Sequence, residues 1–160
     1  MDGSDMIPLV AIGLVRTTDR EVHGDLLLRL GTYRHTCDSY YLAIDDSPAA
    51  GATIEEDLAR LLDQWVQQLR QLTPAGVVFL PFDFSDQCTA WLRVECPDVD
   101  RAVVQAGWSS LEGYSIMPST FTEAATPEDF APITNATIAC RLSDLITTLE
   151  HSRDAVRHGD

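Results

Sequence analysis

The sequence predicts an α+β fold with a mainly antiparallel sheet of about six to eight strands, a long amphipathic helix (Thr53–Leu72) and a C-terminal helix (Ser143–Arg157). Two observations predict it. Segments with alternating apolar and polar residues lie on both sides of a stretch with helical periodicity. The order along the chain is strands, helix, strands, helix, which differs from the regular alternation of a parallel sheet. The 160 residues fit a single domain, 1–160, in which we expect residues 1–5 and 158–160 to be frayed.

Three N-terminal segments predict a meander of strands. Residues 7–17 are mostly apolar, residues 21–30 place Leu26, Leu28 and Leu30 on one face, and residues 33–44 alternate after a bend at Gly31. The composition of residues 45–52 is typical of a loop.

The long helix has a start signal and an apolar stripe. Thr53 and Glu56 have the spacing of a capping box, in which each side chain satisfies a free backbone N–H. Apolar side chains then recur every three or four residues up to Leu72, with polar side chains opposite. Residues 73–76 are expected to end the helix and lead into the next strand.

Residues 76–117 supply the second group of strands. Residues 77–82 are apolar and are predicted to form a central strand, whose pairing should stop near Pro81 because proline has no N–H to donate. Residues 89–96 and 101–108 alternate on either side of a turn and predict an antiparallel hairpin. Residues 114–117 are predicted to extend the meander.

The C-terminal part begins with a loop. Residues 118–132 contain three prolines and predict a loop with a short helical turn at 126–130. Residues 136–142 predict the last strand, and Ser143 is expected to cap the closing helix.

The charge of the chain restricts its partners. There are 25 acidic and 11 basic residues, for a net charge of −14, and every residue of the basic group is arginine. Nucleic acids and anionic membranes are bound by clustered cations, which this sequence does not supply. We therefore expect no nucleic-acid partner and no membrane partner.

Two features predict a cytoplasmic protein. The first apolar segment follows acidic residues and contains Pro8 and Gly13, so it does not resemble a signal peptide. The four cysteines, Cys37, Cys88, Cys96 and Cys140, are scattered, which favours reduced thiols over a disulfide framework.

The sequence contains no common catalytic or phosphate-binding motif. His35 and Cys37 share a predicted strand face, but only His23 is an obvious further metal ligand, so a strand-edge histidine beside a core cysteine is favoured. Cys88 has no neighbouring cation in the sequence to activate its thiol. We therefore predict no metal, no cofactor and no catalytic residue.

Acidic and aromatic residues gather in the second group of strands. Large rings with carboxylates around them suit recognition of a basic protein surface. Alternation points Trp91 away from the face of Leu92 and Val94, so it is either exposed or covered, for example by the closing helix. The candidate binding residues are Phe82, Asp83, Phe84, Asp86, Trp91, Glu95, Trp108, Glu112 and Tyr114.

This acidic α+β character, with carboxylates around aromatic strands, resembles that of bacterial immunity proteins, which neutralise basic toxins. The resemblance is one of physical type and implies a non-enzymatic binding domain that inhibits a basic toxin or nuclease. One alternative is a small-molecule-binding module or enzyme with a pocket near Ser109–Thr120, where Asp83, Trp108, Glu112 and Tyr114 would converge. Another is a homodimer formed through apolar strand edges.

Overall fold

The structure, a computed structural model, describes residues 12–16, 25–43, 51, 53–85 and 87–158. The described residues form seven strands and three α-helices. The strands are β1 (Ile12–Arg16), β2 (Leu26–Leu30), β3 (Tyr33–Cys37), β4 (Gly76–Asp83), β5 (Thr89–Cys96), β6 (Ala102–Ser109) and β7 (Ala131–Cys140). The helices are α1 (Tyr40–Ala43), α2 (Ile54–Arg70) and α3 (Leu142–His158).

The predicted α+β class is confirmed, with the strands divided between two antiparallel sheets. The small sheet has the order β1-β2-β3 and the large sheet the order β4-β5-β6-β7. In the small sheet Leu14 lies opposite Leu28, which lies opposite His35. Parts of the first two predicted strands, residues 7–11, 17 and 21–24, lie outside the described residues, as do residues 1–5.

The third predicted strand ends earlier than expected, and residues 40–43 are helical. The Asp38 carboxylate accepts the Tyr40 N–H at 2.9 Å, and the Asp25 carboxylate accepts the Ser39 N–H at 2.9 Å and its hydroxyl at 2.6 Å. These bonds turn the backbone after Cys37, because a short side-chain acceptor competes with strand pairing. The prediction, made from alternation, that residues 40–43 continue the strand was therefore wrong.

Helix α2 begins where the capping signal placed it. The Thr53 hydroxyl accepts the Glu56 N–H at 3.1 Å, and the apolar stripe is buried. Trp65 is fully buried, and its Nε1–H donates to the Pro81 carbonyl at 3.1 Å, which attaches the helix to β4. Arg153 of α3 donates to Asp63 of α2 at 2.9 Å, so the two helices pack side by side.

The large sheet contains the predicted hairpin, with Trp91 opposite Gly107 in β5 and β6. The prediction that β4 is central was wrong, because it lies at one end of the strand order. Within its apolar run Leu80 and Phe82 are 1% exposed and Val77 is 42% exposed, so burial and position within a sheet are separate properties. The register shifts between Pro81 and Asp83, where the sequence predicted that pairing would falter.

The connection from β6 to β7 differs from the prediction at two points. Residues 113–115 form a short 3-10 helix instead of a strand, and Gly113 donates its N–H to the Ser85 carbonyl at 2.8 Å. A second 3-10 helix spans Pro118–Glu123, while residues 126–130, predicted to be helical, are irregular. Strand β7 begins five residues before the predicted start, at Ala131.

The cap of α3 also differs from the prediction. The helix begins at Leu142, so Ser143 is inside it. The Asp100 carboxylate, in the β5–β6 turn, accepts the Ser143 N–H at 2.8 Å and the Ser143 hydroxyl at 2.9 Å. A distant carboxylate thus supplies the acceptor that a capping side chain provides in most helices.

The two sheets share one hydrophobic core with α2 and α3. At Gly31 in the β2–β3 turn, φ is +62°, and a Cβ there would lie 2.9 Å from Ile138 Cγ2 of β7. A larger residue would therefore be strained in backbone and crowded in space. Among the described residues, no helix is both long enough and apolar enough to cross a membrane.

Candidate functional site

Three aromatic residues of the predicted binding set lie in the core. Phe82 and Trp91 are each 1% exposed and Phe84 is 4% exposed. The Trp91 indole N–H donates to Thr89 Oγ1 at 2.7 Å, and the space over its ring is lined by Phe121 and neighbouring residues. The Trp91 ring also packs edge-on against Phe79 at 6.4 Å between centroids, whereas α3 packs on α2 and β1. These three side chains stabilise the fold and are not part of the surface.

The other members of the set occupy different environments. Glu112 is exposed, Trp108 is partly buried, and Glu95 accepts a hydrogen bond from the Arg93 guanidinium. Asp83 is 5% exposed. Asp86 lies outside the described residues, and the structure describes the backbone of Tyr114 but not its side chain.

Asp83 is one end of a hydrogen-bonded series that joins the two sheets, which we call the Tyr33–His35–Asp83 chain. Its Oδ2 lies 2.9 Å from His35 Nε2, and His35 Nδ1 lies 3.1 Å from the Tyr33 hydroxyl. An ionised carboxylate only accepts hydrogen bonds, so Nε2 carries the proton in neutral His35. Nδ1 is then the acceptor, and the Tyr33 hydroxyl donates to it.

Ser85 fixes the other oxygen of the Asp83 carboxylate. Asp83 Oδ1 accepts the Ser85 hydroxyl at 2.6 Å and the Ser85 N–H at 3.2 Å. The register of β4 shifts between Pro81 and Asp83, and there both Phe82 and Asp83 contact His35. The bulge therefore places this turn next to β3. The hydrogen bonds from Ser85 and the bulge in β4 together direct Asp83 Oδ2 at the His35 imidazole.

Aromatic rings line the imidazole. The His35 ring packs edge-on against Phe82 at 5.1 Å and against Trp108 at 5.3 Å between ring centroids. The side chains of His35 and Asp83 are 13% and 6% exposed. Burial, followed by the nearby Asp83 charge, raises the pKa of Tyr33 above its usual value. The hydroxyl is therefore protonated at neutral pH.

His35 and Cys37, the two residues considered as metal ligands in the sequence, each have hydrogen-bond partners within the protein. The Cys37 thiol donates to the Phe82 carbonyl at 3.2 Å, and burial raises its pKa. Both ring nitrogens of His35 have partners. His23 lies outside the described residues, within which no cluster of three or more metal-ligating side chains occurs.

A second feature is an open groove of about 600 Å³ on the outer face of the large sheet, which we call the outer groove. The Phe130 ring contacts Phe79 at 5.6 Å between centroids and provides an apolar wall. The groove is lined by Phe79, Arg93, Glu95, Val103, Gln105, Pro127, Glu128, Phe130, Pro132 and Thr137.

The β6–β7 connection, residues 110–130, is acidic. Glu112, Glu123 and Glu128 are exposed along it, and residues 102–140 contain no arginine, lysine or histidine. Asp129 has an internal role, because hydrogen bonds from the Ser110 side chain, the Ser109 side chain and the Ser110 N–H lower its pKa to about 2. The three glutamates and Asp129 are all exposed, but Asp129 is held by these hydrogen bonds.

No protein-family model matches this chain, and no curated protein sequence is significantly similar to it. The site must therefore be interpreted from its own geometry.

The sequence brought attention to Asp83, Trp108 and His35 separately, and the structure brings them together. Sequence reasoning missed Tyr33 altogether. Its one local signal was the two-residue spacing from His35, which places both side chains on one strand face. The partner carboxylate is 48 residues away in the other sheet, where no local pattern indicates it.

Proposed function

We propose that this protein is an acidic protein-binding domain whose partner is a basic protein, and that a toxin or nuclease domain is the class of partner that its charge suits. The observation that carries this proposal is the run of exposed glutamates on a connection without a single cation. Glu112, Glu123 and Glu128 face solvent on the segment that borders the outer groove. A positive surface would find no opposing positive charge along residues 102–140.

Electrostatics and shape support the proposal in different ways. The net charge of −14 would attract a cationic partner from a distance and raise its association rate. The outer groove would then supply short-range contact, since Phe79 and Phe130 offer apolar surface in a groove that Glu128 also lines.

Inhibition follows from the same surface. A nuclease binds the phosphates of its substrate with a cationic groove. Carboxylates on a protein surface could occupy that groove and exclude the substrate, which is the immunity-type function that the composition predicts.

The test compares two variants with equal charge. Glu112→Gln, Glu123→Gln and Glu128→Gln together change the net charge from −14 to −11. Glu56→Gln, Asp98→Asn and Asp154→Asn make the same change outside residues 102–140. Each variant would be used in a pull-down from host lysate at low salt, with elution by rising ionic strength and identification by mass spectrometry.

We expect the wild-type protein to capture a basic protein that elutes with salt. The variant with changes at Glu56, Asp98 and Asp154 (the matched variant) should still bind it, whereas the variant with changes at Glu112, Glu123 and Glu128 (the connection variant) should bind it at least about tenfold more weakly. Equal loss in both variants would show that only total charge matters. An affinity for the purified partner that stays constant between about 0.05 and about 0.5 M salt would contradict the electrostatic basis, because exposed charges are screened over that range.

A further inference from the structure

The Tyr33–His35–Asp83 chain has the order of groups that activates a hydroxyl nucleophile. A hydroxyl, an imidazole and a buried carboxylate are joined at 3.1 Å and 2.9 Å. In enzymes with this order, the imidazole removes the hydroxyl proton during attack, and the carboxylate orients the ring and stabilises the imidazolium. The arrangement is recognised by geometry, and it occurs on unrelated folds.

The carboxylate end is positioned for this role. Ser85 holds one oxygen of Asp83 through two hydrogen bonds, which leaves the other oxygen directed at His35. Phe82 and Trp108 pack against the imidazole and restrict its rotation. Three elements of the fold therefore hold the ring with its Nδ1 lone pair toward Tyr33.

The tyrosine end of the series is partly exposed. Tyr33 is the first residue of β3, beside the β2–β3 turn, and it is only partly buried. Because its resting hydroxyl is protonated, reaction requires that a base take the proton as the new bond forms. His35 is the base in contact with that hydroxyl.

We infer that Tyr33 accepts an acyl group from a small neutral aryl ester, with His35 as the general base and Asp83 as the positioning residue. In this step Tyr33 Oη attacks the carbonyl carbon while its proton passes to His35 Nδ1. The bond from that carbon to the leaving aryl oxygen then breaks, and the leaving phenol takes the proton from Nδ1. The products are acyl-Tyr33 and a phenol, and attack by water with His35 as base would return free Tyr33 and a carboxylic acid.

The substrate class follows from the surroundings of the imidazole. The partly buried Trp108 ring offers apolar contact next to His35, whereas the buried Asp83 charge would repel an anionic substrate. A neutral ester with a small apolar acyl group fits both conditions. This site does not depend on the binding function proposed for the β6–β7 connection.

The test uses p-nitrophenyl acetate as the acyl donor and a second tyrosine as an internal reference. Tyr40 is 59% exposed and does not belong to the Tyr33–His35–Asp83 chain. Peptide mapping by mass spectrometry would follow acetylation of both residues in the same sample. General-base assistance predicts that Tyr33 is acetylated about a hundredfold faster than Tyr40, and a ratio below about tenfold would overturn the inference.

Variants separate chemistry from structure. Asp83→Asn and His35→Gln should lower the rate at Tyr33 to that of Tyr40 without changing Tyr40. A folded Asp83→Asn protein with an unchanged ratio would also overturn the inference. If either variant does not fold, the ratio in the unmodified protein decides alone. Because the assay needs no partner protein, the connection variant should keep the wild-type ratio even if it no longer binds.

Discussion

Asp83→Ala should be one of the most destabilising single substitutions in this protein. It removes the carboxylate partner of His35 and the acceptor of two hydrogen bonds from Ser85, at a residue that is 5% exposed. A buried donor left without its acceptor typically costs about 1–3 kcal/mol, and both His35 Nε2–H and Ser85 lose their acceptor, so we expect a loss of about 2–4 kcal/mol. Asp83→Asn keeps an acceptor for Ser85 and lets His35 change tautomer, so we expect a loss of about 1–2 kcal/mol.

The assay is urea unfolding at neutral pH, followed by tryptophan fluorescence. Glu112→Ala is the matched control, because it removes an exposed carboxylate that is joined through Gly113 to Ser85. Its free energy of unfolding should change by less than about 0.5 kcal/mol. A loss below about 1 kcal/mol for Asp83→Ala would refute the reasoning, since it would show that the pair contributes little to the contact between the sheets.

Three further predictions concern other parts of the molecule. Gly113→Ala should lower the free energy of unfolding by about 1–3 kcal/mol or more in the same assay, because its Cβ would overlap the Phe84 carbonyl oxygen. In an NMR titration the Asp129 carboxyl should have a pKa of about 2, which Ser110→Ala should raise; the stabilisation is present above the unfolded-state pKa and is lost as pH falls through about 2. Burial, then Asp144 and Asp100, raises the pKa of the Cys140 thiol to about 11, so its alkylation rate by iodoacetamide should still be rising at about pH 10; a plateau near pH 8.5 would contradict this.

Elements that depend on local sequence were predicted well. The stripe of α2 and the alternation of β5 and β6 repeat with the periods of their structures, and each is long enough to average out single exceptions. The capping signal at Thr53 worked for the same reason, since its acceptor and donor are three residues apart.

Elements that depend on distant contacts were not predictable in this way. The cap of α3 comes from Asp100, 43 residues before Ser143, and the helical turn at Tyr40 depends on Asp25, which directly precedes β2. The position of β4 within its sheet depends on which strands pair with it, and an apolar run does not record that pairing.

The candidate site shows the same division. Composition indicated where carboxylates and aromatic rings occur, but it could not decide which of them face solvent. Phe82, Phe84 and Trp91 lie inside through contacts between distant segments, such as the packing of His35 in β3 against the Phe82 ring. The sequence around Tyr33 is that of an ordinary strand. Its hydroxyl becomes a candidate reactive group only because His35, which it contacts, is bonded to the distant Asp83.

The contacts at the end of β4 also affect how this protein can associate with copies of itself. An exposed strand edge invites another chain to add a strand, which is a common start of aggregation. Here the Pro81 carbonyl already accepts from Trp65, and the Phe82 carbonyl accepts from the Cys37 thiol. Pro81 has no N–H to offer, and the register shift beside it disturbs the regular spacing that a docking strand needs. Trp65 of α2 and Cys37 of β3 thus occupy backbone carbonyls of β4 that would otherwise be free to pair with a strand of another molecule.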